Sequence, residues 1–252
     1  MTTAPIAPAV TATPIVNITA RVSAAARAHP DKPAVIACRG MTRDGRTRYR
    51  SLTFAQLERS IDGYARGFQH AGITRGMRTI VMIKPGHEFF AVTFALFKLG
   101  AVPVLIDPGM GRRKLIDCLA EVEAEAFIGI PLAHVARKLF ARAFRTVRVR
   151  VTVGRRWAWG GPRLADLHQT AGEPAAPADT RGDDVAAILF TSGSTGPAKG
   201  VVYTHGIFDA QVTYLESQYG YRAEEVDLAT FPLFALFDAA LGMTAVLPEM
   251  DP

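Results

Sequence analysis

Cysteine is scarce in this chain: Cys38 and Cys118 are its two thiols in 252 residues, and each stands alone in its segment. Neither a disulfide framework nor a thiolate zinc site is written there, and a reducing, cytoplasmic setting fits. The six histidines (His29, His70, His87, His134, His168 and His205) include no pair at three- or four-residue spacing, so a helical zinc site is not supported either. Long apolar runs are also missing. The longest, from Phe89 to Ile106, carries Lys98 near its middle and then Gly100 and Pro103, which reads as helix, turn and strand rather than as a membrane span. At the amino end no basic residue precedes Arg21, and Pro5, Pro8 and Pro14 break the apolar stretch, so no secretory signal is expected. Acids are absent between Arg137 and Arg156, where eight Arg or Lys residues stand. Val147, Val149, Val151 and Val153 alternate with polar residues there, the pattern of a half-buried strand with a solvated basic face. No RNP motif or helix-turn-helix pattern accompanies the charge, and no nucleic-acid partner is expected.

What is present suffices for a globule. Hydrophobic residues make up 49% and charged residues 21%, enough apolar surface to offset the entropy of ordering the chain. Thr53 to Gly72 has a helix period, with Phe54, Leu57, Ile61, Ala65 and Phe68 on one face and Thr53 and Gln56 in capping-box register. Apolar runs at 79–83, 101–106, 126–130 and 147–153 then alternate with helix-length segments at 87–99, 112–122 and 131–144. Strands separated by helices predict an α/β fold with a parallel sheet and right-handed crossovers. The stretch 171–184 is rich in Pro, Ala and charge and reads as a linker. It divides a first α/β subdomain, 1–170, from the start of a second, 185–252, in which strands at 185–190 and 201–205 flank a loop.

That loop carries the chemistry. Thr191 to Gly200 packs four hydroxyls (Thr191, Ser192, Ser194, Thr195), three glycines (Gly193, Gly196, Gly200) and Lys199 into ten residues. Glycines let backbone N–H groups converge, hydroxyls add donors and the lysine adds a compact positive charge, a set suited to phosphate. Hydrogen bonds to charged groups contribute about 1.5–3 kcal/mol each, so several together hold a polyphosphate. It is not a Walker loop, because Pro197 stands four residues after Gly193 and no hydroxyl follows Lys199; β-branched and aromatic flanks place it between two strands. Nor is it a nucleophile elbow, since Ser192 rather than glycine stands two residues before Ser194.

Phe190-Thr191-Ser192-Gly193-Ser194-Thr195-Gly196-Pro197-Ala198-Lys199-Gly200-Val201 resembles the phosphate loop of the adenylate-forming superfamily of acyl-CoA synthetases, luciferases and nonribosomal adenylation domains. Leu52 to Leu57 and Lys98 to Pro108 resemble two earlier segments of the same family, so the resemblance covers nearly the whole chain. Phe231-Pro232-Leu233-Phe234-Ala235-Leu236-Phe237 stands where its CoA ligases show Pro-Leu-Phe-His, with Ala235 in place of the histidine. With Ala240 to Met243 and the terminal Pro-Glu-Met-Asp-Pro, this segment is most similar to the olefin-biosynthesis β-lactone synthetases.

The resemblance implies the amino-terminal portion of a layered αβα fold, ending before the carboxy-terminal domain. It implies ATP and Mg²⁺ as cofactors, with Thr191, Ser192, Gly193, Ser194, Thr195, Gly196 and Lys199 on the ATP phosphates, no metal ligand assigned on the protein, and Phe231, Phe234, Ala235 and Phe237 toward an acyl pocket. The reaction implied is activation of a fatty, β-hydroxy carboxylic acid as its acyl adenylate, followed by closure of a β-lactone by the acid's own hydroxyl. The family's catalytic lysine, ribose-binding Asp and Thr-Glu segment fall after Pro252, so catalytic residues stay unassigned and the 252-residue piece alone is expected to bind ATP weakly without turnover. Two alternatives stay open: an acyl-CoA or acyl-carrier-protein ligase using the same adenylate, and a non-catalytic module binding anions through its basic face. A peripheral membrane contact or an assembly with pathway enzymes is compatible with either enzyme reading.

Overall fold

In the computed structural model, residues 16–42, 44–106, 111–168, 173–191, 199–231 and 233–248 are described, without the side chains of residues 112, 113, 191 and 199. Helix α1 (Thr19–Ala28) precedes a hairpin of β1 (Pro33–Met41) and β2 (Thr47–Thr53). There follow α2 (Phe54–His70), β3 (Arg78–Met82), α3 (His87–Lys98), β4 (Val102–Ile106), α4 (Arg112–Glu121), β5 (Ala126–Gly129), α5 (Pro131–Leu139), a 3₁₀ turn (Ala141–Phe144) and β6 (Val149–Thr152). The rest comprises a single helical turn α6 (Leu164–Leu167), β7 (Val185–Thr191), β8 (Lys199–Thr204), α7 (His205–Tyr214) running on into a π-helical turn (Leu215–Tyr219), β9 (Val226–Leu228), α8 (Ala235–Leu241) and β10 (Thr244–Leu247).

Six strands form the central sheet in the order β6-β5-β3-β4-β7-β8, all neighbours parallel except β7 and β8. Its inner strands β3, β4 and β5 are apolar on both sides because both faces are covered there. Val81, Leu105, Ala126 and Ile128 point into one cluster with α2 and α3, while Ile80, Val104, Phe127 and Phe190 point into the other with α4 and the 3₁₀ turn. The chain moves from β3 to β4 on one side and then back across β3 to β5, so α3 and α4 lie on opposite faces. Such a reversal opens a crevice at the carboxyl ends of the strands.

A second sheet, β2-β1-β10-β9, pairs the early hairpin with the last strands: Val35 stands opposite Ala245 and Thr244 opposite Val226. Both sheets thus draw strands from either side of residues 171–184. The described part of that stretch, though free of helix and strand over 173–180, is bound down: the Ala178 N–H donates to Lys98 O at 2.7 Å, and the Thr180 hydroxyl donates to Val16 O at 2.7 Å. Beneath it Lys98, 3% exposed, donates to Glu58 at 3.0 Å and to Asp62, clamping α3 to α2.

Candidate functional site

The loop singled out by composition is framed by β7 and β8. Their antiparallel register sets Leu189 opposite Val201, Phe190 opposite Gly200 and Thr191 opposite Lys199. Thr191 and Lys199 are thereby placed by backbone at the two ends of the loop; Ser192, Gly193, Ser194, Thr195 and Gly196 lie outside the described residues. β7 runs parallel to β4 with Phe190 beside Ile106, so the loop leaves the sheet at the carboxyl ends of the parallel strands, beside the crevice. Gly200 has a packing reason of its own: a Cβ there would come within 3.0 Å of the Phe190 ring, which is buried over it.

Next to this strand pair an apolar cavity of about 110 Å³ is lined by Leu105, Leu189, Val201 and Tyr203 from the sheet and by Phe231, Leu233, Phe234, Leu236 and Phe237 from the segment entering α8. Phe208 closes it, its ring stacked 5.0 Å from Phe237 and 5.2 Å from Tyr203. Phe231, Phe234 and Phe237 are thus brought together at one cavity. Ala235 is fully buried and is not among the residues lining it.

Phe234 and Phe237 also wall a larger cavity of about 710 Å³ between α7, the π-helical turn and α8, with Tyr214, Tyr219, Tyr221, Leu241 and Met243. Two of the residues that line this space carry a buried oxygen with no hydrogen-bond partner among the described residues: Asp238 Oδ2 and Gln211 Oε1. Asp238 is 7% exposed, and burial, reinforced by the neighbouring Asp227 carboxylate, pushes its carboxyl up to about 8. It is held as the acid at neutral pH. The signal for Asp238 in the sequence is that it is the one carboxylate inside the apolar run from Phe231 to Met243.

His205, which follows the loop strand, is a packing residue. It opens α7 behind the Thr204 cap, whose hydroxyl accepts from Ile207 N–H at 3.1 Å. Its Nδ1 accepts the Ile18 N–H at 3.3 Å and its ring meets Phe97 edge-on, so burial keeps it neutral, down to about 4. No group of three or more His, Cys, Asp or Glu able to hold a metal ion occurs among the described residues.

Sequence and structure comparisons agree with this architecture. The model of the family described as AMP-binding enzyme matches residues 22–248. An olefin β-lactone synthetase of Stenotrophomonas maltophilia is 54% identical over 94% of this chain, and one of Xanthomonas campestris 49% identical over 95%. The chain spans 43% of the length of each of these relatives. Among solved structures, the long-chain-fatty-acid-CoA ligase FadD1 of Archaeoglobus fulgidus superposes with a TM-score of 0.78 at 22% identity, over 94% of this chain and 48% of that one. Mycobacterium smegmatis MbtA superposes at 0.77 and 25% identity, over 93% of this chain and 44% of that one. The chain belongs to the AMP-binding enzyme family.

Proposed function

We propose that this chain supplies the nucleotide-phosphate loop and the acyl pocket of an ATP-dependent enzyme that primes a fatty, β-hydroxy acid as its acyl adenylate and releases it as a β-lactone. The observation that carries the reading is the juxtaposition of a phosphate-suited loop, rooted between Thr191 and Lys199, with an aromatic-walled apolar cavity beneath the same two strands. One end suits a triphosphate and the other an alkyl chain, so an acid bound along this line presents its carboxylate where the two meet.

The donor set fits the phosphates of ATP: hydroxyls at Thr191, Ser192, Ser194 and Thr195, backbone N–H groups freed by Gly193 and Gly196, and the Lys199 ammonium. These residues would hold the β- and γ-phosphates and take up the charge that develops as pyrophosphate leaves. Mg²⁺, when bound with the nucleotide, supplies further neutralisation of that charge. Phe231, Phe234 and Phe237 would hold the alkyl chain and keep water from the activated carbonyl. Closure by the acid's own β-hydroxyl is intramolecular, which favours it over capture by an external thiol. The methyl of Ala235, buried at the start of α8, offers no group to receive a proton from such a thiol.

The full-length polypeptide, incubated with ATP, Mg²⁺ and a 3-hydroxy fatty acid without coenzyme A, is expected to release pyrophosphate and AMP and to form a lactone detectable by mass spectrometry. Thioester formation that depends on added coenzyme A would assign the ligase reading in its place.

A further inference from the structure

We propose that α5 and the turn around Trp157 form a docking face for an anionic membrane surface. On the inner side of α5, His134 is fully buried, edge-on to Phe127 at 4.9 Å and stacked on Trp159 at 5.1 Å. That packing fixes which side of the helix faces out. Leu132, Val135 and Leu139 recur at spacings of three and four and fall within roughly 60° of arc on the outer side. They are 74%, 43% and 75% exposed, and Phe140 follows at 37%.

A large aromatic side chain extends this stripe from a separate segment. Trp157 is 62% exposed, and its ring lies 5.3 Å from the buried Trp159 that stacks on α5. Lys138 Nζ donates to Ala158 O at 3.3 Å, tying the end of the helix to the same turn. An indole with one side against protein and the other in solvent is suited to the headgroup boundary.

Charge complementarity names the occupant. Of the eight basic residues between Arg137 and Arg156, Arg145 and Arg148 are paired with Glu123 and Glu125. Arg137, Lys138, Arg142, Arg150, Arg155 and Arg156 make no ion pair with an acid in the described structure. A helix that exposes an apolar stripe beside the exposed cations Lys138, Arg142 and Arg155, none ion-paired with an acid in the described structure, matches a surface that is apolar below and anionic above. A nucleic acid would use the cations and leave Leu132, Val135 and Leu139 in water. A strand forms within the expected segment as β6, but Thr152 on its polar side is fully buried, and the basic segment as a whole also carries this apolar face.

Sedimentation of the full-length polypeptide with phosphatidylcholine vesicles, with and without phosphatidylglycerol, tests the proposal. Binding is expected to be at least about tenfold stronger to the anionic vesicles and to weaken in high salt. Trp157 fluorescence is expected to shift to the blue, a shift lost in Trp157→Phe. Leu132→Asp with Leu139→Asp, and separately Arg142→Glu with Arg155→Glu, are expected each to lower binding by about tenfold or more with unchanged thermal unfolding, because these side chains stand on the surface. Equal binding to neutral vesicles, no binding to either, or full binding by the leucine pair variant overturns it. Competition by duplex DNA that is insensitive to the leucine pair would assign the cations to a general polyanion contact and equally overturn it.

Discussion

At the scale of single residues, burial keeps three titratable side chains neutral, one carboxylic acid and two imidazoles, with shifts of opposite direction. Asp238 is raised to about 8 from an ordinary 3.8, so the folded chain holds a proton there that the unfolded chain has released. The stability this gives is complete below about pH 4 and is lost as pH rises through 8. Asp238→Asn, which keeps the shape and removes the charge, is expected to raise the melting temperature by several degrees at pH 8 and by almost nothing at pH 4, read by circular dichroism melts across that range. His134 is the opposite case. Burial holds it down at about 4 from 6.5, its Nε2 beside Val151 O at 3.1 Å and Thr152 Oγ1 at 3.2 Å. Its stabilising contribution is present above pH 6.5 and disappears as pH falls through 4, and His205 follows the same course. Substituting either histidine by a neutral residue is expected to flatten the acid limb of the stability curve between pH 6.5 and 4. Lys98 contributes through its ion pairs: it stands between Glu58 and Asp62, and Lys98→Ala leaves two carboxylates in a largely dry space, at a cost of about 3–5 kcal/mol in chemical denaturation.

At the scale of elements, local chemistry made much of the chain readable. Thr53 and Gln56 form both hydrogen bonds of the capping box, at 3.2 and 3.0 Å, and α2 starts where that register placed it. The alternation of apolar runs and helical stretches yielded β3, α3, β4, α4 and β5 within one residue of their bounds, and α5 at its start, because the three strands are covered on both faces and so read as continuous apolar runs. The second sheet was not readable, since β1 pairs with β10 more than two hundred residues on and β9 has three residues, too few for a period. After α7 the chain widens into a π turn over Leu215–Tyr219, which brings Leu215 and Tyr219 to the larger cavity. Close approach between elements was equally invisible. Gly67 lies mid-helix, where Ala normally gains about 0.5–1 kcal/mol. A Cβ at Gly67 would stand 2.0 Å from Leu167 O, a backbone overlap that only a shift of α6 relieves. Overpacking of that kind costs about 1–3 kcal/mol, so Gly67→Ala is expected to lower stability, and a melt that showed a gain would mean α6 is free to move aside.

At the scale of the whole molecule, the candidate site depends on two sheets built from both ends of the chain and on a loop whose footing is set by strand register. Four phenylalanines meet at the smaller cavity: Phe208 from α7 and Phe231, Phe234 and Phe237 from the approach to α8. Three of them were legible as one apolar run, whereas Phe208 was not, because its contact with Phe237 is made only when α7 folds back across the sheet. The loop was read as a density of donors, and the described residues place its two ends, Thr191 and Lys199, opposite each other on β7 and β8. Lys199 separates the two kinds of contribution. Its backbone pairs with Thr191 at the edge strand, an interaction that any side chain preserves, while the proposed function asks its ammonium to hold leaving pyrophosphate. Lys199→Ala in the full-length polypeptide is therefore expected to leave the unfolding transition in place and to lower acid-dependent pyrophosphate release by about tenfold to a hundredfold, the size of one or two charge-assisted hydrogen bonds. Lys199→Arg is expected to recover only part of this, because a planar fork does not reproduce a compact ammonium within a glycine-lined loop. Unchanged pyrophosphate release in Lys199→Ala would remove the lysine from the nucleotide site and leave the hydroxyls and backbone N–H groups of the loop to carry the phosphate alone.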